Sequence, residues 1–303
     1  MPATLQVFYT SLLPIFAVVA LSAVAARWIK IDTSLLSKIT IYLFSPFLII
    51  GSIASSDLAG SEVAGIAAMA VLNGLILIII GRTLARLFKF ERMLEGAFTL
   101  SIFMGNTGGI GLPLVEFAYG EAGLQRGVLF FAISAVITNI FGIYLASRSA
   151  SSVKTSIRNV LISPIPYATL LALVINFYHI ELPLPVARMA AILGPASIPC
   201  MLVILGANIA YMKLEGARRV GPIALASVTR LVVPPLLAFS LAALLGIEGL
   251  ARQAAILSIS TPSAMLSAVY ATEYGSDSQF ATAVVLVTSM ASVFTLSYLL
   301  TIL

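Results

Sequence analysis

Two short polar stretches interrupt otherwise apolar sequence, and both carry groups that could bind an anion. The first, GNTGGIGLP, covers residues 105–113, and the second, SISTPS, covers residues 258–263. Glycine costs about 1 kcal/mol and proline about 3 kcal/mol relative to alanine inside a helix, so each stretch predicts unwound backbone. A helix that follows a break presents free N–H groups and the positive end of its dipole. The neighbouring amides and hydroxyls suit a carboxylate, and the predicted binding residues are Asn106, Thr107, Gly108, Gly109, Pro113, Ser260, Thr261, Pro262 and Ser263.

These residues also have a structural interpretation. Glycines allow helices to pack closely, and small hydroxyls can donate to backbone carbonyls. Close packing and ligand contact both require the absence of a side chain, so the sequence alone does not separate these uses for Gly108, Gly109 and Gly111. For Asn106 we favour contact with the substrate.

Three more polar residues lie within apolar stretches. A charge inside a membrane is costly and commonly marks function, which places Arg230 among the predicted binding residues. Its guanidinium has five donors, so it could bind a substrate carboxylate or donate to carbonyls that a helix break sets free. When the two halves of the chain are aligned at a separation of 157 residues, Asn73 corresponds to Arg230. Glu116 follows Pro113 closely. We predict a supporting or coupling role for Asn73 and Glu116.

Other chemistry has little support in the sequence. A single cysteine, Cys200, and a single histidine, His179, provide neither an internal disulfide nor a metal cluster. No nucleophile with its base is visible, so we predict that the protein is not an enzyme. No cofactor or metal is predicted, although coupling to Na⁺ or H⁺ is compatible with the sequence, because sodium sites are built largely from carbonyls and hydroxyls.

The elements that position these residues must be membrane helices. The chain has 303 residues, of which 60% are hydrophobic and 10% charged, and a mean hydropathy of +1.08, which is outside the range of soluble domains. A bilayer requires about 20 apolar residues per helix. Little sequence is left for a soluble catalytic domain. Ten spans are predicted, at about residues 5–26, 34–54, 63–81, 97–119, 125–147, 159–179, 185–211, 221–246, 251–273 and 279–302.

Basic residues outside the spans fall almost entirely after the odd-numbered spans, and the connections after the even-numbered spans contribute only Arg126 and Arg252. We predict a multi-pass protein of the cytoplasmic (inner) membrane. The positive-inside rule places the connections after the odd-numbered spans in the cytoplasm and both termini on the outer side of this membrane. The net charge of +5 is therefore a topology signal, and no nucleic-acid partner is predicted. The start of the chain lacks a basic segment and a cleavage site, so we interpret it as a retained first helix. The clusters are Arg27 and Lys30; Arg82, Arg86, Lys89 and Arg92; Arg148, Lys154 and Arg158; and Lys213, Arg218 and Arg219.

The two halves of the chain match each other in order at separations near 150 to 157 residues. Pro14 pairs with Pro164, Pro46 falls near Pro199, and AFTLSIF at residues 97–103 pairs with AAILSIS at 254–260. Five spans per half is an odd number, so the second copy enters the membrane from the opposite side. The predicted fold is an all-α membrane protein whose ten transmembrane helices form two inverted five-helix repeats, residues 1–150 and 151–303. Transporters commonly have this design, with the site at interrupted helices near the midplane.

The segments GNTGGIGLPLVEFAYGEAGL at residues 105–124 and TPSAMLSAVYATEYGSDSQFATAVV at 261–285 resemble the auxin efflux carrier family. The resemblance extends over essentially the whole chain. It implies a fold similar to the bile acid:sodium symporters, in which spans 4 and 9 cross at their breaks. It also implies an elevator-like motion of spans 3–5 and 8–10 against a scaffold of spans 1, 2, 6 and 7, often within a homodimer.

Family members carry monocarboxylates or dicarboxylates such as auxin, malate or malonate. The chain lacks the long central loop of the plant exporters, which is typical of a prokaryotic member. We therefore predict a secondary transporter of a small organic anion that works by an elevator-type mechanism, with the site at the crossover. The alternatives are a sodium-coupled symporter similar to the bile acid carriers and an anion channel. The expected partners are a small carboxylate, the lipid bilayer and a second copy of the chain.

Overall fold

The computed structural model describes residues 6, 8–146, 152–212 and 219–303. Within these ranges the chain is almost wholly helical. Arg148, Lys213 and Arg218 of the predicted basic clusters lie outside the described residues, as do the side chain of Lys154 and the outer ends of the first and fifth predicted spans. The helices are α1 Phe8–Ile29, α2 Thr33–Ala54, α3 Gly60–Leu87, α4 Arg92–Phe103, α5 Thr107–Ala146, α6 Ser152–Ile162, α7 Pro164–Phe177, α8 Leu184–Tyr211, α9 Val220–Leu244, α10 Gly249–Ile259, α11 Met265–Tyr274 and α12 Ser278–Ile302.

Seven of these helices are long and apolar enough to cross a bilayer: α1, α2, α3, α5, α8, α9 and α12. This confirms the prediction of an all-α, multi-pass membrane protein. The predicted spans 4 and 9 each divide into two shorter helices, α4 with the start of α5, and α10 with α11.

Two boundaries differ from the prediction. The connection predicted between spans 4 and 5 is a bend within α5 at Gly120, whose φ of 65° reverses the chain locally; only glycine adopts this conformation at little cost. The predicted span 6 begins as a separate helix, α6, and α7 restarts at Pro164, where a residue without an N–H is well tolerated in a first turn.

The helix breaks are present but shorter than predicted. Unwound backbone covers residues 104–106 and 260–264, whereas the prediction extended the first break to Pro113. Residues 107–111 instead form a π-helical turn that leads into α-helix from Leu112. The first backbone N–H groups of a helix have no partner within the helix, so few helical hydrogen bonds depend on the glycines of this turn.

The helices pack in two groups. In one, α1 packs along α8 and α2 packs along α7; in the other, α3 packs on α4, α5 on α10, and α12 on α4, α9 and α11. Ser45 and Ser197, whose Oγ atoms are 3.1 Å apart, lie in the contact between α2 and α8. Ion pairs link Arg126 to Glu62 at 2.7 Å and Arg219 to Asp277 at 3.3 Å at the ends of the second group.

Replacing Gly206 with valine is expected to separate α1 from α8. A Cβ atom at this position would overlap the carbonyl oxygen of Val19 and lie 2.7 Å from the Ser22 Cβ atom. Overpacking of this kind costs about 1–3 kcal/mol, so thermal denaturation in detergent should show a lower Tm. Gly60→Val is the control, because nothing lies within 4 Å of the Cβ atom built there; equal Tm values for the two variants would contradict the close contact.

Candidate functional site

The two unwound segments meet and pair through their backbones. The N–H of Asn106 donates to the carbonyl of Pro262 at 2.8 Å, and the N–H of Ala264 donates to the carbonyl of Met104 at 2.8 Å. Gly105 and Ser263 face each other between these bonds as an isolated antiparallel bridge. Four helix ends therefore converge at one point: the carboxyl ends of α4 and α10 and the amino ends of α5 and α11. Pairing satisfies backbone groups that could not face lipid.

Arg230 holds the carboxyl ends together. It lies on α9, is 1% exposed, and donates only to backbone carbonyls among the described residues. Its Nε atom is 2.9 Å from the Thr261 oxygen and its Nη1 atom is 2.9 Å from the Ile102 oxygen. Its Nη2 atom is 3.0 Å from the Ile259 oxygen and 2.6 Å from the Thr261 oxygen. Four of the five N–H groups of Arg230 are thus committed to the crossing.

The amino ends of α5 and α11 lie on another side of the crossing. The Asn106 side chain caps α5 by accepting from the Gly109 N–H at 3.0 Å, and its carbonyl accepts from Ile110 and Gly111. This arrangement leaves the N–H groups of Thr107 and Gly108 without an acceptor in that turn. The α11 helix begins after Ala264 with no side-chain cap.

A cavity of about 460 Å³ lies against these amino ends. Its volume falls in the range of small-molecule sites. None of the described residues that line it is charged. Its walls include residues 104–109 and 264–266 and apolar residues such as Phe131 and Met201. Polar residues of α2, α5, α6, α8 and α11 also line it: Ser37, Thr40, Tyr42, Ser134, Thr138, Asn139, Asn159, Asn208 and Tyr270.

The predicted binding residues divide between the cavity and the wall behind it. Asn106, Thr107, Gly108 and Gly109 line the cavity. The others are buried in the crossing or in α5. Two hydroxyls of the second unwound segment donate to carbonyls of α10, that of Ser260 to Ile256 and that of Thr261 to Ser258. Their contact with a substrate stays a prediction. This second group comprises Pro113, Ser260, Thr261, Pro262, Ser263 and Arg230.

A second, small cavity of about 30 Å³ lies beside Arg230 and is lined by Asn73. This space is suited to a single water molecule. The Asn73 Oδ1 atom is buried and has no hydrogen-bond partner among the described residues. Thr107, Ser134 and Thr138 line both this chamber and the large cavity.

Glu116 lies on α5, is partly exposed, and lines neither cavity. The described residues contain no cluster of three or more histidine, cysteine, aspartate or glutamate side chains that could hold a metal ion.

Most polar residues that line the large cavity are not among the predicted binding residues; they include Asn139, Asn159, Asn208 and Tyr270. The Tyr270 hydroxyl donates to Asn139 Oδ1 at 3.0 Å, which joins α11 to α5. Asn139 and Asn208 are isolated amides within apolar helices. The same criterion that identified Asn73 could have identified them.

Comparison with known proteins gives consistent matches over the chain. The family model described as membrane transport protein matches residues 7–158 and 146–300. The chain is similar to an uncharacterised transporter of Methanothermobacter thermautotrophicus, with 26% identity over 88% of this chain and 87% of that protein. It is also similar to an uncharacterised transporter of Methanocaldococcus jannaschii, with 27% identity over 85% of each chain. A protein of Rhizobium meliloti provisionally named as a malonate transporter is 28% identical over 65% of this chain and 63% of its own.

Proposed function

This chain belongs to the membrane transport protein family, the auxin efflux carriers that its sequence resembles, and from this premise we propose that it is a secondary transporter of a small organic anion. The family match supports a transporter rather than an enzyme. The observation that carries the proposal is that the amino ends of α5 and α11 and the amide of Asn106 border one uncharged cavity at the crossing.

The electrostatics of the cavity favour one negative charge. Each helix amino end carries about half a positive elementary charge, so the two ends together match about one carboxylate. No acidic side chain among the described lining residues opposes it. The amides of Asn139, Asn159 and Asn208 and the hydroxyl of Tyr270 would then bind the polar part of the substrate.

The provisional name of one relative makes malonate the first substrate to test. Malate and indole acetate complete the set, because they represent the dicarboxylates and monocarboxylates expected of the family. Purified protein in proteoliposomes should take up at least one of the three labelled acids, with saturation and with acceleration by the same acid on the far side. Absence of flux for every acid would contradict the proposal, and single-channel currents would indicate a channel instead.

We also propose that the two halves form inverted repeats. The paired hydrogen bonds at the crossing support this. If the halves are aligned at a separation of 158 residues, Met104 corresponds to Pro262 and Asn106 to Ala264. The bond from Asn106 to Pro262 then corresponds to the bond from Ala264 to Met104. Corresponding residues touch one another only close to an axis that relates the two halves.

The proposed transport unit comprises α3–α5 and α9–α12, and the proposed scaffold comprises α1, α2, α7 and α8. The cavity lies between them, because Thr107 and Tyr270 belong to the proposed transport unit and Thr40 and Asn208 to the proposed scaffold. Ion pairs of Arg126 and Arg219 join helix ends within the transport unit. If the basic connections are cytoplasmic, the cavity extends from the crossing toward the cytoplasm, since Asn159 and Asn208 lie near those connections.

Asn106→Ala is expected to reduce transport by about tenfold or more. The substitution removes a cap, which costs about 1 kcal/mol, and also an amide that lines the cavity. The measurement is initial uptake rate against substrate concentration. Asp32→Ala is the matched control, because Asp32 caps α2 in the same manner, by accepting from the N–H groups of Ser34 and Leu35, but does not line the cavity. Equal uptake by both variants would show that Asn106 acts only as a cap.

A further inference from the structure

The carboxyl ends of α4 and α10 form a cage of carbonyl oxygens around Arg230. The cage contains the oxygens of Ile102, Ile259 and Thr261, each within 3.0 Å of a guanidinium nitrogen. Each helix carboxyl end carries about half a negative elementary charge. The charges of two such ends and one guanidinium therefore balance at this point, and no carboxylate of the described residues is a hydrogen-bond partner of Arg230.

In secondary transporters with broken helices, unwound carbonyls and the carboxyl ends of half-helices commonly coordinate the coupling cation. Here those groups bind a side chain. We propose that Arg230 is a resident cation that takes the position of a coupling ion, so that the crossing assembles and transports without sodium. This inference rests on the proposed transport function and specifies how transport is coupled.

The local packing supports a cage built for a guanidinium. Gly105 lies against the side chain, and a Cβ atom at this position would overlap Nη2 and lie 3.1 Å from Cζ. The planar group donates from Nε, Nη1 and Nη2 at once, which a hydrated sodium ion or a lysine ammonium could not reproduce with the same geometry.

Only a thin wall lies between the cage and the large cavity. The chamber of about 30 Å³ adjoins Arg230, and Thr107, Ser134 and Thr138 line both this chamber and the large cavity. Removing the Arg230 side chain would enlarge the chamber by roughly the volume of that side chain. Free guanidinium should then be able to occupy the vacated place, which allows chemical rescue.

The first test is the ion dependence of the unmodified protein. Uptake into proteoliposomes should stay within about twofold when sodium is replaced by potassium or choline on both sides. A fivefold or larger loss of uptake without sodium would overturn the proposal.

The second test is rescue of Arg230→Ser by guanidinium chloride at a few millimolar. We expect the variant to lose at least about 4 °C in Tm and most of its uptake, and to recover about half of each loss with guanidinium but not with sodium. Arg252→Ser is the control, because Arg252 is an exposed arginine that stacks on Phe239; guanidinium should leave its Tm unchanged. Rescue by sodium in place of guanidinium, or by neither, would contradict a resident guanidinium.

Two further variants keep the proposal testable if Arg230→Ser does not fold. Arg230→Lys retains the charge and Arg230→Gln retains donors without charge, so the lysine variant should have the higher Tm; the reverse order would overturn the proposal. Tm is measured without substrate. A failure of all anion uptake would therefore reject the proposed function, whereas the guanidinium response judges the resident cation separately.

Discussion

A single methyl group at position 105 is expected to abolish transport and to destabilise the fold by about 3–5 kcal/mol. The Cβ atom of Gly105→Ala would overlap Arg230 Nη2 and lie 3.0 Å from Thr261 Oγ1. The guanidinium cannot retreat without losing its bonds to Ile102, Ile259 and Thr261. Breaking a buried charge away from its partners carries a cost of this size because neither side is rehydrated.

The measurement combines Tm in detergent with uptake in proteoliposomes. Gly221→Ala is the matched control: Gly221 lies at the start of α9, the same helix as Arg230, and nothing lies within 4 Å of its built Cβ atom. We expect the control to keep its Tm within about 1 °C and its full uptake. If Gly105→Ala behaved like the control, the crossing would have to be loose enough to admit a side chain, and the carbonyl cage could not be rigid.

A covalent link between Gly108→Cys and Met201→Cys is expected to stop transport almost completely. Gly108 lies in the proposed transport unit and Met201 in the proposed scaffold, and the Cβ atom built at Gly108 is 3.0 Å from the Met201 sulfur. If transport requires the two groups to slide, a bifunctional thiol reagent with a reducible bond that joins these positions should trap one state. Uptake should fall more than tenfold when the link forms and return on reduction.

The experiment needs a Cys200→Ser background, because Cys200 is a free cysteine next to Met201. Each linked sample is compared with the same protein after reduction, which removes any effect of the substitutions themselves. The control pair is Glu62→Cys with Arg126→Cys, whose native side chains form an ion pair within the transport unit. Linking this pair should leave uptake unchanged. Equal rates for linked and reduced Gly108–Met201 protein would contradict an elevator motion and favour a fixed pathway.

The first prediction depends on how the crossing separates charge. The carboxyl ends of α4 and α10 contact Arg230, whereas the amino ends of α5 and α11 border the uncharged cavity. The embedded cation therefore stabilises the backbone, which leaves free N–H groups and amides to bind the charge of the proposed substrate. A resident cation, as proposed, would also remove the need to transport a coupling ion together with the anion.

The sequence by itself determined that the chain is helical and membrane-embedded, and that two helices break. These conclusions follow from local composition, because glycine, proline and polar residues at 105–113 and 258–263 are incompatible with a helix that faces lipid. Asn106 was identifiable for the same reason, as an amide inside an apolar segment with no other evident partner.

Tertiary structure decided what composition could not. Arg230 had two plausible roles, and its place was set by the carbonyls of Ile102 and Ile259, residues 128 and 29 positions away in the chain. The helical state of residues 107–111 depended on a cap and on pairing with Pro262 across the molecule. The cavity likewise joins Thr40, Asn139, Asn208 and Tyr270 from four helices. Such proximities arise only when separate helices pack, since no local spacing in the sequence encodes which distant carbonyl or amide a side chain will meet.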